Sequence, residues 1–429
     1  MWMKRLLLFL LVLSMAMTVS LTGYGAKAAA ENKPVVLTVW SWDDTFNIPI
    51  IKKAGQVYAK NHPNVTVNAV ALGKNDVYTK LQTGLAAGGK ALPDIVLLED
   101  YVSYKYLNNY SKHFADLSKS INYKDFLTFK KDAVTYKGKK YGVPLDAGPT
   151  SLFYRVDLLK KAGYTEADMQ NLTWDKLIEI GQKVTKVTGV KWYLENASNR
   201  TSMIRLIMQS AGTWYFDKRG NVNIKNNAAL KQAFQIIKKM IDSGIMYEAQ
   251  DDNDYNSALN QGKVASIVVS PWIVSTIKAA KEQSGLWRVA PTPRLAKLKS
   301  KNASNVGGSA WYVMQNSPNK AVAIDLLKTA FDGNDQFYQD ILVNQGCMFS
   351  YLPSLTDKVF DNGDPFFGGQ KISQMFVNTM KQVQGFNYGG YVSEANDAVN
   401  TAIVGYLKGS ASLNDAVNQA DDQLRNQLQ

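Results

Sequence analysis

The residues able to do chemistry gather where apolar runs end. Val35 to Trp40 reads as a buried first strand, and Ser41, Trp42, Asp43 and Asp44 follow it directly. A second apolar run, Leu92 to Leu98, opens on Glu99, Asp100 and Tyr101. In an open α/β sheet, ligands bind beyond the carboxyl ends of the strands. Aromatic rings placed there cover the apolar C–H face of a pyranose, and carboxylates accept from its hydroxyls. Saccharide binding is the chemistry this combination suits. The structural alternative puts Trp40 in the core, uses the first acids to cap the next helix, and makes the second group a polar turn. Glycoside hydrolysis is a further possibility. It needs a carboxyl of raised pKa with a second carboxyl roughly 5–10 Å away, and Asp43, Asp44, Glu99 and Asp100 supply such groups.

Other chemistries lack their residues. The only cysteine, Cys347, sits beside Met348 and Phe349 and reads as a small buried hydrophobe. The two histidines, His62 and His113, stand in polar, loop-like contexts and make no zinc pattern. Gly84 to Lys90 fits the first seven places of a phosphate loop, yet Ala91 stands where a hydroxyl must hold magnesium. No cofactor and no metal is expected.

Two folded bodies must hold these groups, and the stretch from Tyr141 to Tyr164 joins them. Tyr141, Val143 and Leu145 alternate as one face of a strand, which Pro144 confines to an edge or an exit. Asp146, Ala147, Gly148 and Pro149 form a polar, kinked crossing. Leu152 to Tyr154 starts a second strand, and Val156 to Ala162 reads as a short helix stopped at Gly163. The stretch therefore predicts a hinge with Asp146 at its base. Further helices are expected over 76–88, after the cap Thr173, and along Met203, Leu206, Ile207 and Ser210. Ser317-Pro318 opens another, with Ala321, Ile324, Leu327 and Phe331 inward. Trp192 to Leu194 and Val264 to Val269 read as strands, and Val306 begins a return strand. Its Gly307 and Gly308 either let backbone approach a ligand closely or permit an unusual turn. Phe349 to Pro353, with Tyr351, is a third crossing.

In this order the motifs resemble the extracellular solute-binding proteins that deliver sugars to ABC importers, the maltose-binding-like class. The resemblance rests on Tyr141-Gly142-Val143-Pro144, Tyr154-Arg155-Val156-Asp157-Leu158-Leu159, Lys161-Ala162-Gly163 and Thr173-Trp174, and runs from Thr38 to about Gly405. Leu98-Glu99-Asp100-Tyr101 and Gln209 to Asp217, which includes Trp214, are similar to lactose-binding proteins. The resemblance implies a two-lobed α/β fold like that of periplasmic binding proteins, with a hinge of three crossings and a ligand cleft between lobes. Residues 31–148 with 306–350 would form the first lobe, and 149–305 with 351–429 the second. It also implies sugar contacts from Glu195 and Asn196 at a strand exit and from Trp272 after Ser270-Pro271. An oligosaccharide ligand, the membrane subunits of an ABC importer as partners, and a monomer are the expectations.

Length and composition agree with a globular chain: 429 residues suffice for two or three domains, and 46% hydrophobic with 20% charged residues leaves nothing disordered. Net charge is +13, spread over clusters such as Lys137 to Lys140 and Arg294 to Lys301, which reads as solvated faces rather than a nucleic-acid surface. Lys4 and Arg5 precede an apolar run from Leu6 to Val19, and Ala28-Ala29-Ala30 follows, the pattern of a cleaved secretory signal over residues 1–30. The segment is too short for a membrane span. Leu21-Thr22-Gly23 looks like a lipoprotein box, but Tyr24 stands where the lipid-accepting cysteine belongs. A soluble, exported protein is expected.

Overall fold

The computed structural model describes residues 33–428 apart from 45, 198, 199, 357 and 387. The signal, the Tyr24 position and Asn387 lie outside the described residues. Twelve strands are present among those described: β1 (Val35–Ser41), β2 (Val65–Ala71), β3 (Ile95–Glu99), β4 (Thr135–Tyr136), β5 (Lys139–Lys140), β6 (Gly142–Pro149), β7 (Ser151–Arg155), β8 (Lys191–Asn196), β9 (Met246–Ala249), β10 (Val264–Val269), β11 (Trp287–Pro291) and β12 (Asn305–Val313). They make two five-stranded sheets, ordered β2-β1-β3-β12-β6 and β11-β7-β10-β8-β9, plus the small β4-β5 pair.

Each sheet owes its parallel pairs to helical crossovers. β1 runs parallel to β2 and β3 because the Asn47–Ala59 and Lys74–Ala86 helices return the chain to the same edge. The second sheet repeats the device, with β8 parallel to both β9 and β10. Strands covered on both faces read as continuous apolar runs. Val264–Val269 is accordingly buried at every position. Helix ends follow local chemistry. Thr173 Oγ1 accepts from Lys176 N at 3.2 Å, and Gly189 closes that helix at φ 73°. The Lys320–Phe331 helix departs from the expected face. Ala323, Leu326 and Ala330 join Leu327 and Phe331 in the core, while Ala321 is exposed and Ile324 half-buried. A short apolar stripe leaves its phase ambiguous by one position, and packing against the 47–59 helix decides it.

Three strand-like connections pass between the sheets. β6 leaves the first and continues as β7 of the second; β11 leaves the second, and the chain returns as β12 of the first. The 347–351 segment lies beside β6, with Ala147 N donating to Met348 O at 2.8 Å and Ser350 N to Leu145 O at 3.2 Å. Gly148 is required here. A Cβ on it would lie 1.9 Å from Val306 O, so the two crossing backbones could not meet. Ser270 Oγ, at the end of β10, reaches both Gly148 O (2.8 Å) and Val306 O (2.6 Å) and ties the second sheet to the crossing. Residues 353–380 touch both bodies: Ser354 Oγ donates to Asp335 Oδ1, while Phe367 and Phe376 pack on Phe153. The final helix, Leu413–Gln427, joins the second core through Ala416, Val417, Ala420 and Leu424.

Candidate functional site

At the carboxyl ends of β8 and β10 a cavity of about 460 Å³ opens between the lobes. Leu194, Glu195 and Asn196 supply one wall, and Val268, Val269 and Trp272 another. The Thr201–Ser210 helix adds Ser202, Met203 and Leu206, and the Asp252–Asn260 helix adds Tyr255 and Asn256. Lys74 reaches in from the first lobe, and Val306 closes the floor at the crossing. This is the strand-exit position at which open α/β sheets hold ligands.

Trp272 dominates the wall. It is 56% exposed, whereas Trp174, Trp192, Trp214, Trp287 and Trp311 are all at or below 2%. The indole therefore does no core packing and is free to lie against a sugar face. Trp42, in the first lobe, is half-buried and meets the Tyr78 ring edge-on at 5.9 Å. Tyr78 and Tyr101 hydroxyls each donate to Glu99 Oε2 at 2.9 Å, and Lys74 Nζ lies 3.4 Å from Oε1. Burial, then the Glu99 charge, pushes both phenols well above their ordinary value, so they remain donors.

The other anticipated residues divide. Asp43 is exposed with φ 67°, and its Oδ1 accepts from Phe46 N at 3.1 Å, which starts the 47–59 helix. Asp44 is exposed beside it. Asp100 is fully buried, with Lys130 Nζ 2.6 Å from each oxygen, so its carboxylate is committed to an internal pair. Burial pushes it up to about 6 against the pull of Lys130. Gly308 sits over that pair; a Cβ there would come within 2.7 Å of Asp100 Oδ2 and 3.1 Å of Lys130 Nζ. Gly307 faces open space at φ 94°. Asp146 Oδ1 accepts from Ser309 N (2.8 Å) and Ser309 Oγ (2.6 Å) and so fastens the crossing. Trp214 donates Nε1 to Tyr388 O at 3.1 Å and edges a narrow gap beside the main cavity. Tyr351 is buried and stacked on Tyr338 at 5.1 Å, in the core of the first lobe.

Glu195 has an unusual setting. Its strand neighbour is Glu248, register partner on β9, and Glu248 takes the guanidinium of Arg200. Desolvation pushes Glu195 up to about 8, with Arg200 opposing. Burial thus favours the protonated, O–H-donating form of the carboxyl that lines the cavity. Glu195 and Asn196, carried over by resemblance, do line the cavity, as does Trp272. Lys74, Arg205, Gln209, Tyr255 and Asn256 were not anticipated. Two of them left a signal: Lys74 follows the exit of β2, and Arg205 interrupts the apolar stripe of Met203, Leu206 and Ile207.

Residues 53–357 match the family described as bacterial extracellular solute-binding protein. The chain is 40% identical over 394 residues to a lactose-binding protein of Rhizobium radiobacter, covering 92% of this chain and 93% of that one. An arabinooligosaccharide-binding protein of Bacillus subtilis is 27% identical over 351 residues, 78% of this chain and 79% of that one. In fold it is similar to the GacH receptor of Streptomyces glaucescens, which has been described unliganded and with acarbose. There the TM-score is 0.76 at 20% identity, over 92% of this chain and 98% of the receptor. Among the described residues no helix is long and apolar enough to cross a membrane.

Proposed function

Because this chain belongs to the bacterial extracellular solute-binding protein family, we propose that it is the substrate-binding component of an ABC importer. In this reading it is exported by the 1–30 signal, works as a monomer, and captures an oligosaccharide outside the membrane. The mechanism is the hinge closure general to periplasmic binding proteins: two lobes close on the ligand, and the closed form is handed to the permease. Closure requires that the ligand bind the closed form better than the open one. Residues of both lobes must therefore touch it. The observation that carries the reading is the cavity itself, which pairs the exposed Trp272 and the polar Glu195 and Asn196 of the second lobe with Lys74 of the first. A galactoside of the lactose type, or an oligosaccharide released from plant cell wall, is the ligand class in view.

A thermal-shift screen of lactose, galactobiose and arabino-oligosaccharides tests it, since a ligand that binds only the folded form raises Tm. No shift with any saccharide refutes capture. Hydrolysis is the competing reading, and one observation favours it: Glu195, with its raised pKa, neighbours Glu248 on the next strand. Against it, Glu248 is held by Arg200, Asp100 by Lys130, and Asp43 by the backbone N–H of Phe46. Binding without turnover is thus our reading. Release of shorter sugars from a bound oligosaccharide overturns it.

A further inference from the structure

Arg205 is a buried cation at the boundary between the lobes. It lies on the Thr201–Ser210 helix, 8% exposed, and edges the narrow gap that shares Val306 with the main cavity. Its Nε donates to Thr201 O and its Nη2 to Ser202 Oγ, both at a long 3.3 Å. Its guanidinium also lies over the Tyr101 ring, 4.8 Å from the centroid, and so spans from the second lobe to the first. Among the described residues no carboxylate comes within ion-pair distance of it. Buried charges are normally paired, because desolvation without a counter-ion is costly. Two of the nearby acids are already engaged: Asp100 by Lys130, and Glu99 by Tyr78, Tyr101 and Lys74. Glu195, whose charged form burial disfavours, makes no ion pair with it. The gap has room for about 10 Å³, a water-sized group such as one carboxylate oxygen. Gln209 and Asn305 stand around it as neutral hydrogen-bonding groups.

We infer that the captured saccharide is a uronide, whose carboxylate sits against Arg205 while its neutral rings lie along Trp272. This rests on the capture reading and narrows its ligand class. A guanidinium gives a carboxylate oxygen a charge-assisted hydrogen bond, stronger than a neutral one. Without the signal's Lys4, Arg5 and Lys27 the net charge falls from +13 to +10, a balance that draws an acidic oligosaccharide from a distance.

Calorimetric titration of the full chain with digalacturonate and trigalacturonate, against galactobiose and lactose, tests the inference. A charged hydrogen-bonded pair predicts acidic sugars bound roughly ten- to hundredfold more tightly than neutral ones of equal length. That preference should shrink as salt rises. Arg205→Gln should abolish it, and Arg205→Lys should keep part of it. Neutral sugars bound as tightly as acidic ones overturn the uronide and leave capture standing, as does a preference that survives in Arg205→Gln. No binding by either class sinks both. The wild-type comparison alone decides the matter if Arg205→Gln does not fold.

Discussion

Removing the Trp272 indole should weaken binding without unfolding the protein, and the size of the loss follows from its exposure. With roughly 240 Å² as the surface a tryptophan can bury and 56% of it exposed, about 130 Å² faces solvent. A pyranose covering one ring face removes about half of that, roughly 65 Å², which is worth about 1.6 kcal/mol at ~25 cal/mol per Å². Trp272→Ala should therefore raise Kd about fifteenfold for the saccharide giving the largest thermal shift. Calorimetry reads the affinity, and a melt of the unliganded protein reads stability. The melt matters, because an exposed side chain contributes little to folding, and Tm should stay near the parent value. Trp214→Ala provides the contrast. That indole is 2% exposed, so its truncation should cost about 3–5 kcal/mol of stability. If Trp272→Ala binds within twofold of the parent, or if it loses stability as Trp214→Ala does, the indole is no sugar platform and the reasoning fails.

Glu195 makes stability depend on pH in a direction that can be checked. Its folded value, about 8, stands above the ordinary carboxyl value, so the folded state holds a proton that the unfolded chain releases. The associated stability is full below about pH 4 and is lost as pH rises through about 8. Glu195→Gln should flatten that fall, with Tm gained at pH 8 and little changed at pH 4; equal shifts at both pH values would count against a protonated Glu195. Lys130→Met leaves Asp100 buried and unpaired, at a cost of about 3–5 kcal/mol, seen in denaturant melts, whereas an unchanged midpoint would mean the pair carries no such load. Gly308→Ala should be the more damaging of the two glycine changes, because its Cβ meets Asp100 and Lys130 while that of Gly307 meets open space. Comparable melts for Gly307→Ala and Gly308→Ala, both strained by positive φ, would remove the packing argument.

The architecture was legible because its signals are one-dimensional. An apolar run such as Val264–Val269 states its own burial, and a Gly after a periodic stretch, as at Gly163, states where a helix stops. Strand exits could be located the same way, but Glu195, Asn196 and Trp272, which line the cavity, were singled out by the family resemblance. What sequence could not state is the partner of each charge. Asp43, Glu99 and Asp100 are all carboxylates at one kind of position, yet one accepts from the Phe46 backbone just ahead of a helix, one gathers two phenols, and one neutralises a lysine 30 positions away. The difference lies in which distant side chain folding brings within 3 Å. Acid-rich strand exits therefore overstate the negative charge of a site, since lysines such as Lys130 and Lys74 arrive from elsewhere. The same logic exposes Arg205. Ile204 and Leu206 flank it in sequence, and only the fold shows that no described carboxylate comes within ion-pair distance of it while Asp100 and Glu99 have other partners. A cation left over after the acids are assigned is where the ligand's own charge belongs, and that is why the acidic-against-neutral comparison bears on this site more directly than any further reading of its carboxylates.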